Sequence, residues 1–470
     1  MQSSVFRWES NFSRQLFRLA VPIALQSVVT ASMQIVDNLM IGVLGEVQLS
    51  GVTQANRVSF LFQVAMFGAI SGTSIFVAQY WGRRDVAGVR KTQGIAMVFG
   101  LLVAAVLGIP SILMPEGIMR LLLNSEAGVH AGAEYLSVIG FVYFVQSQSL
   151  IQAAVLKSTE QVKLPMFASL AAICTNIVFN TLLIYPTREA QLLGWTFTMP
   201  GAGMGVRGGA IATFIGALVE LFLLLFFSYR YRFANAARPR ELLPESARAV
   251  RAFMCIALPV LVNEALWAGG TVVYSAVYGR IGDGVAATAA AGVFSNVEQL
   301  ASIAIRALSH ACGVMVGMAL GAGELDRARL YAKRFLFATP LLSQAFCLCV
   351  ILPLAGPIVN MFALPASTAR LALQMIYVLC GGIWLSAFNN VIIVALLRTG
   401  GDVRSAAVID VGTLWAVGVP MALLAGLVLR LELPFVYLAT YLEQVIKAVV
   451  GFWRYRQGKW VCNIIKEDSQ

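Results

Sequence analysis

Charged residues and histidine are scarce in this sequence of 470 residues. Only 12% of the residues are charged, while 59% are hydrophobic and the mean hydropathy is +0.78. A chain of this composition would not stay dissolved in water, so the composition excludes a soluble protein and predicts many membrane spans. Because the only two histidines, His130 and His310, lie far apart, we expect neither a zinc centre nor a histidine-based catalytic pair.

Cysteine gives no sign of a metal or redox site. The seven cysteines lie in or next to apolar stretches, and no two of them have C-x-x-C spacing. We interpret them as small core residues and expect no cofactor other than a coupling ion. The charged start of the chain leads directly into a full-length span, so we also expect no cleavable signal peptide.

Hydropathy predicts about twelve spans, and the positive charges orient them. With the N-terminus inside, 25 of the 34 Lys and Arg residues fall in inside segments and 7 in outside segments. The positive-inside rule therefore predicts a multi-pass protein of the cell inner membrane with both termini in the cytoplasm. The net charge of +11 follows from this topology and does not indicate a nucleic-acid partner.

An internal repeat divides the chain into halves. LAVPIALQ, starting at Leu19, aligns with IALPVLVN, starting at Ile256, and three further blocks match in the same order. The repeat predicts an all-α membrane protein with two pseudo-symmetric six-helix lobes around a central cleft. We expect an N-lobe at 1–228, a solvated cytoplasmic linker at 229–251 that contains six arginines, and a C-lobe at 252–470.

The first span contains a carboxylate, Asp37, and a proline, Pro22, where the helix can bend. An acid at the centre of a membrane helix is unfavourable by about 2.5 to 3.5 kcal/mol, so such acids usually have a function. Gln34 lies one turn before Asp37. Alternatively, Asp37 lies near the outer interface and is solvated there.

The fifth and sixth spans offer neutral oxygen ligands. Asn176 and Asn180 are four residues apart and thus on one helix face, and Thr213 supplies a hydroxyl. Together with a carboxylate, these groups suit a proton or a small cation. The alternative is ordinary hydrogen bonding between helices.

The seventh span, the repeat counterpart of the first, contains Glu264 beside Asn263, with Trp267 one turn later. This acid is a candidate for a second ion site or for the cavity that binds substrate. The alternative is a structural acid that pairs with Arg306 in the eighth span.

Other polar residues within the second half have weaker assignments. Cavity or second-site candidates are Glu298 and Arg306 on one stripe of the eighth span, Asn389 and Asn390 in the tenth, and Asp410 in the eleventh. Glu443 and Lys447 in the twelfth span have the spacing of an internal ion pair.

These features resemble the multidrug and toxic compound extrusion (MATE) family, in particular its NorM-like and DinF-like bacterial members. The resemblance covers about residues 14–455 and rests on Pro22 with Asp37 and on the order of several motifs: GVLG, VAQYWGRRD, NIVFN with GMGVRGGAIAT, LGAGELDRAR and LLRTGGD. It implies ion binding at Asp37, bending at Pro22, and an N-lobe site completed by the positions of Asn176, Asn180 and Thr213.

Two departures from the family pattern affect the predicted sites. Many members have an aspartate at the position of Asn180, so this site has one negative charge fewer. In NorM-like members a glutamate follows about one turn after the position of Glu264, and an acid occupies the position of Ala387. A C-lobe ion site therefore rests on Glu264 alone.

The sequence as a whole predicts a secondary antiporter, not an enzyme. It would export cationic or amphiphilic small molecules in exchange for H⁺ or Na⁺ by alternating access, and Na⁺ at Asp37 is the only metal ion expected. Its other partners would be membrane lipids, and we expect a monomer. The alternatives are a flippase for lipid-linked precursors from the same superfamily and, more remotely, a membrane-embedded transferase.

Overall fold

A computed structural model describes residues 10–192, 195–244, 246–282, 284–362 and 364–465. Within these ranges, twelve helices are long and apolar enough to cross a membrane. The predicted all-α class with twelve spans is confirmed. Large apolar side chains such as Val106, Phe222 and Val449 remain exposed on the helices, as is expected of surfaces that face lipid.

The spanning helices follow one another with short connections. They are α1 (Ser10–Gly42), α2 (Glu46–Gly82), α3 (Val86–Leu113), α4 (Glu126–Ser158), α5 (Lys163–Leu183), α6 (Gly205–Tyr231), α7 (Ala247–Tyr278), α8 (Gly284–Gly321), α9 (Leu325–Asn360), α10 (Ala366–Leu397), α11 (Val403–Val428) and α12 (Leu433–Arg456). A short helix, Pro115–Arg120, precedes α4, and a 3₁₀ helix, Pro239–Leu242, precedes α7.

Three helices of the second half contain π-helical segments. These are Cys347–Ile351 in α9, Val391–Leu397 at the end of α10, and Leu414–Gly418 and Leu424–Val428 in α11. Two of the segments end two residues before Pro353 and Pro420, respectively. Because proline lacks an N–H group, it leaves a carbonyl of the preceding turn without its usual donor, which favours a local change of helix type.

The connection between α5 and α6 contains a β-hairpin that the hydropathy pattern did not predict. Strands β1 (Pro186–Leu192) and β2 (Trp195–Ala202) pair antiparallel, with Arg188 opposite Met199. In β2, aromatic residues alternate with Thr196 and Thr198, which is the period of a strand. A search for long apolar runs does not detect so short an alternating segment.

The contacts divide the chain into two compact units. The C-terminal unit comprises Met1–Ala24, Ala78–Asp85 and Met254–Gln470, and the N-terminal unit comprises Leu25–Val77 and Val86–Phe253. The units differ from the predicted lobes at 1–228 and 252–470. Two segments of the first half of the sequence, 1–24 and 78–85, belong to the C-terminal unit. The lobe boundaries drawn from the repeat stay a prediction.

In the N-terminal unit, the segment before α7 is held against α3 and is only partly solvated. Arg90 on α3 forms an ion pair with Glu241 at 2.9 Å, and Gln93 donates to the Asn235 carbonyl at 3.2 Å. A Cβ atom at Gly94 would overlap the Leu242 carbonyl. Buried amides and a bare glycine backbone thus hold this part in place, while the linker boundaries at 229–251 stay a prediction.

In the C-terminal unit, the ends of α2 and α8 meet backbone to backbone. A Cβ at Gly82 would overlap the Met318 carbonyl, and a Cβ at Gly321 would overlap the Gln79 carbonyl. The repeat alignment that pairs Gly82 with Gly321 also pairs Gln79 with Met318. The same contact is thus made twice, once from each repeat, and it requires glycine because only glycine allows this approach.

The substitution Gly94→Ala should lower the thermal stability of the purified protein by several degrees. The added methyl group would displace the 3₁₀ helix that packs on α3. Thermal unfolding in detergent measures this effect, and Gly292→Ala is the matched control. Because a Cβ at Gly292 meets nothing within 4 Å, alanine should be neutral or slightly stabilising there. Equal melting temperatures for the wild type and Gly94→Ala would contradict the packing described.

Candidate functional site

Polar side chains of α1, α5 and α6 form one connected chain of hydrogen bonds in the N-terminal unit. The side-chain amide of Asn180 donates to Asp37 Oδ1 at 2.6 Å and to Asn176 Oδ1 at 2.9 Å. Asn176 in turn donates to the Thr213 hydroxyl at 3.3 Å. The structure therefore brings together all four residues that the sequence marked for this site.

The local helix geometry explains the arrangement. Asn176 and Asn180 are four residues apart on α5 and are 0% and 1% exposed, so both amides point into the unit. The Thr213 hydroxyl donates to the Gly209 carbonyl at 3.0 Å and keeps its lone pair for Asn176. A carboxylate inside a span is thus held by amide donors from a neighbouring helix.

One amide oxygen of the site is available as a hydrogen-bond acceptor or ligand. Asn180 Oδ1 is buried, and no described residue donates a hydrogen bond to it. Such a group is unfavourable unless a donor or a cation satisfies it. Asp37 and Asn180 together therefore provide a negative charge and a neutral oxygen, which suits a proton on the carboxylate or a small cation between the two side chains.

Tyr135 on α4 belongs to the same site but was missed in the sequence. It is 6% exposed and lies near enough to Asp37 and Thr213 to interact electrostatically with both. Its position within a span was the signal that the sequence offered. A tyrosine buried there usually has a polar partner for its hydroxyl, which would have pointed to a polar site nearby.

Pro22 lies inside α1, which continues through it. The boundary between the two compact units crosses α1 between Ala24 and Leu25, two residues after the proline. The predicted hinge thus coincides with the point where the helix passes from one unit to the other. The side chain of Gln34 lies outside the part of the chain that the structure describes.

A second polar group in the N-terminal unit was also missed. Glu220 on α6 accepts a hydrogen bond from the Ser169 hydroxyl of α5 at 2.5 Å, and Ser169 accepts one from Gln26 of α1 at 2.8 Å. The signal was present, since Glu220 is an acid within an apolar span.

The C-terminal unit contains a larger network of charges. Lys447 contacts Glu443 at 2.7 Å and Asp410 at 2.8 Å, so the ion pair predicted within α12 is confirmed and extends to α11. Asn263 on α7 donates to Asp410 at 3.0 Å and lies beside Glu264. The network joins residues that the sequence analysis treated separately.

Glu264 does not pair with Arg306, so that alternative is wrong. Its partner is Arg398, whose guanidinium donates twice, at 3.0 and 3.1 Å, and whose side chain is only 2% exposed. Arg398 directly follows α10 and points back into the unit, whereas Arg306 is exposed and donates to the Gln299 carbonyl.

The two repeats are chemically different at matched positions. The alignment that pairs Pro22 with Pro259 also pairs Asp37 with Tyr274, whose hydroxyl donates to Glu443 at 2.9 Å. In the network of the C-terminal unit, three acids face two internal cations: Glu264, Asp410 and Glu443 against Arg398 and Lys447.

The remaining predicted residues lie elsewhere. Asn389 donates to the backbone and side chain of Gln444, Asn390 adjoins it on α10, and Trp267 is 44% exposed. Glu298 and Arg306 interact electrostatically with each other on α8. Among the residues that the structure describes, no group of three or more His, Cys, Asp or Glu side chains could hold a metal ion.

The sequence profile of the MatE family matches residues 22–182 and 259–424, which is more than half of the chain. The chain belongs to the MatE family. The two matches begin at Pro22 and Pro259, in the register that the internal repeat predicts. Members of this family are transporters, so this MatE protein is a multi-pass transporter of the inner membrane and not an enzyme.

Curated relatives and solved structures agree over nearly the full length of this MatE protein. A probable multidrug resistance protein, YoeA of Bacillus subtilis, is 22% identical over 450 residues, which is 95% of this chain and 94% of the relative. A multidrug resistance MATE transporter solved in an outward-facing conformation has a TM-score of 0.83 at 17% identity, with 95% and 96% of the chains covered.

A further solved structure with this fold is a MOP superfamily transporter from Pyrococcus furiosus. Its TM-score is 0.81 at 18% identity, and the match covers 95% of this chain and 96% of that chain. That transporter is described as having a binding pocket of reverse polarity, which suggests a different function for it. At this identity the likeness concerns the fold.

The substitution Lys447→Met should destabilise the protein strongly. Removing one partner of a buried ion pair leaves uncompensated charge and typically costs about 3 to 5 kcal/mol. Thermal unfolding in detergent measures this loss, and Glu443→Gln in the same chain should recover part of it by removing one of the two carboxylates.

The control for Lys447→Met is Arg120→Met, because Arg120 pairs with Glu126 at the surface, where its side chain is 58% exposed. Surface pairs contribute about 1 kcal/mol or less. A Lys447→Met variant that unfolds at the same temperature as Arg120→Met would show that the network is solvated and not buried.

Proposed function

We propose that this protein is a secondary antiporter that exports cationic or amphiphilic small molecules in exchange for a coupling ion bound at Asp37. The observation that carries the proposal is the hydrogen-bonded chain Asp37–Asn180–Asn176–Thr213 within the N-terminal unit. Burying a carboxylate inside a span costs free energy even when buried amides donate to it. Such carboxylates therefore usually have a function, and they are typical of ion pathways.

The coupling ion acts through differential affinity. An ion that binds Asp37 from outside neutralises the carboxylate and weakens its bond from Asn180, which favours one conformation of α1. Cargo is then bound less tightly in that conformation and is released outward. α1 bends at Pro22 during this change, because the helix lacks a backbone hydrogen bond there. The boundary between the compact units crosses α1 two residues later.

We favour the proton over sodium as the coupling ion. A hard cation prefers several oxygen ligands with enough negative charge to replace its water. Asp37 is the only carboxylate in the site, and Asn180 stands where many family members have a second acid. A proton needs only the carboxylate itself, whereas sodium would need a further charged ligand.

Positively charged or neutral cargo agrees best with the charged residues inside the C-terminal unit. In the network of the C-terminal unit, acids outnumber bases, and both bases already have acidic partners. Relatives named as multidrug resistance proteins support a broad range of cargo.

The flippase alternative requires cationic groups that meet an anionic headgroup. Arg398 and Lys447 are such groups in principle, and the reverse-polarity transporter of the same fold gives the alternative some weight. Both cations are buried against carboxylates, however, so neither is available to a headgroup. Lipid-linked cargo is therefore the second candidate.

We further propose that both termini face the cytoplasm, as the distribution of Lys and Arg indicates. The exposed apolar side chains on the helices would contact membrane lipids. A single chain provides the complete Asp37 site, so a monomer is sufficient for transport, and no nucleic acid takes part.

Asp37→Asn should abolish export while the protein still folds and inserts. Asparagine keeps the shape and the acceptor oxygen but can no longer gain or lose the coupling ion. The measurement is efflux of a fluorescent organic cation from proteoliposomes, with a pH gradient and a sodium gradient imposed separately. We expect the wild type to respond to the pH gradient and the variant to respond to neither.

The matched control for Asp37→Asn is Asp326→Asn, since the side chain of Asp326 is fully exposed. It should transport like the wild type. Efflux by Asp37→Asn at the wild-type rate would refute the assignment of the site. Absence of efflux by the wild type under both gradients, with translocation of lipid-linked cargo, would favour the flippase.

A further inference from the structure

The three helices of the Asp37 site carry a second polar layer on the same faces. α1 contributes Gln26 to this layer and Asp37 to the first, and α6 contributes Glu220 and Thr213 in the same way. α5 contributes Ser169 to this layer and both Asn176 and Asn180 to the first. Spacings of seven and eleven residues return to the same helix face. With a rise of 1.5 Å per residue, seven residues separate Ser169 from Asn176 by about 10.5 Å, and eleven separate Gln26 from Asp37 by about 16.5 Å.

The second layer is itself a connected site with a titratable group at its end. Ser169 donates to Glu220 Oε1 at 2.5 Å and accepts from Gln26 at 2.8 Å. Glu220 is thus held by the same kind of neutral donor that holds Asp37 in the first layer.

Among the described residues, a single charged group interacts with Glu220 from the neighbouring helices. Lys157, in the last turn of α4, interacts with it electrostatically. The groups that face it from α5 and α1 are the neutral side chains of Ser169 and Gln26. A cation near a carboxylate favours its ionised form and so favours release of a proton.

The second layer lies on the cytoplasmic side of the first under the proposed orientation. Ser169 is six residues after the start of α5 at Lys163, and the connections before α5 and after α6 are those that the positive charges assign to the cytoplasm. A proton that enters at Asp37 from outside therefore reaches Glu220 before it reaches the cytoplasm.

We propose that Glu220 is a second proton-binding site, where the coupling proton is held after it leaves Asp37 and from which it is released to the cytoplasm. The proposal rests on the proposed proton antiport. The proton leaves the Asp37 carboxyl group, moves about 16.5 Å along α1 through intervening water to the second layer, and binds the Glu220 carboxylate. Lys157 then favours its release.

Two measurements on purified protein in proteoliposomes test the proposal. The first is efflux of a fluorescent organic cation driven by a pH gradient. Glu220→Gln should reduce this rate at least tenfold, and Glu220→Asp, which keeps a carboxylate, should recover part of it. The matched control is Glu134→Gln, because Glu134 is an exposed acid on α4 that pairs with His130.

The second measurement is modification of protonated carboxyl groups by an apolar carbodiimide, located by mass spectrometry of the peptide that contains residue 220. It is made on Asp37→Asn, so that transport is not required. We expect modification at Glu220 that declines as the pH rises. A structural acid would show no such change, and its loss would not be repaired by aspartate.

The outcomes separate the inference from the proposed function. Wild-type efflux under a pH gradient, with equal rates for Glu220→Gln, would overturn the role of Glu220 and leave the antiporter standing. Slow efflux by Glu220→Gln, combined with no modification of Glu220 in Asp37→Asn at any pH, would also overturn it and indicate a structural role. Absence of pH-driven efflux by the wild type would remove both proposals together.

Discussion

The free-energy cost of a charge in apolar surroundings determines where the polar side chains of this protein lie. Its spans lie in a medium that offers no water to a carboxylate, so buried acids need hydrogen-bond donors or cations as partners, and several find them on other helices. Asp37 is held by amides, Glu220 by a hydroxyl, and Glu264 and Asp410 by Arg398 and Lys447. The position of each partner fixes how the helices of a unit pack.

The two repeats meet this constraint in different ways. In the C-terminal unit the acids are compensated by cations that are part of the chain, which makes the network a stable structural element. In the N-terminal unit the described partner of Asp37 is the neutral amide of Asn180, and no cation of the chain pairs with it among the described residues. Tyr274, at the matched position of the second repeat, carries a hydroxyl in place of a carboxylate. Under the proposed function, ion coupling would therefore belong to the first repeat.

Backbone contacts complement these polar ones. Gly82 and Gly321 bring α2 and α8 together at matched positions, and Gly94 lets the segment before α7 rest on α3. Such contacts need no side chain and leave little freedom at the helix ends. The middle of α1, by contrast, lacks a hydrogen bond at Pro22, so the helix that carries Asp37 contains a position where it can bend.

The sequence by itself determined the twelve spans and the repeat and marked Asp37, Asn176, Asn180 and Thr213 as polar candidates, whereas their grouping into one site came from the family resemblance. Long apolar runs, helical spacing and an acid within a span are local properties that a linear pattern records. Only the tertiary structure decided that Arg398 and not Arg306 pairs with Glu264, that Lys447 joins α11 to α12, and that Tyr135 and Glu220 stand beside the site. Partners that lie 37, 51 or 134 residues apart leave no mark in local spacing, because helix packing alone brings them within hydrogen-bonding distance.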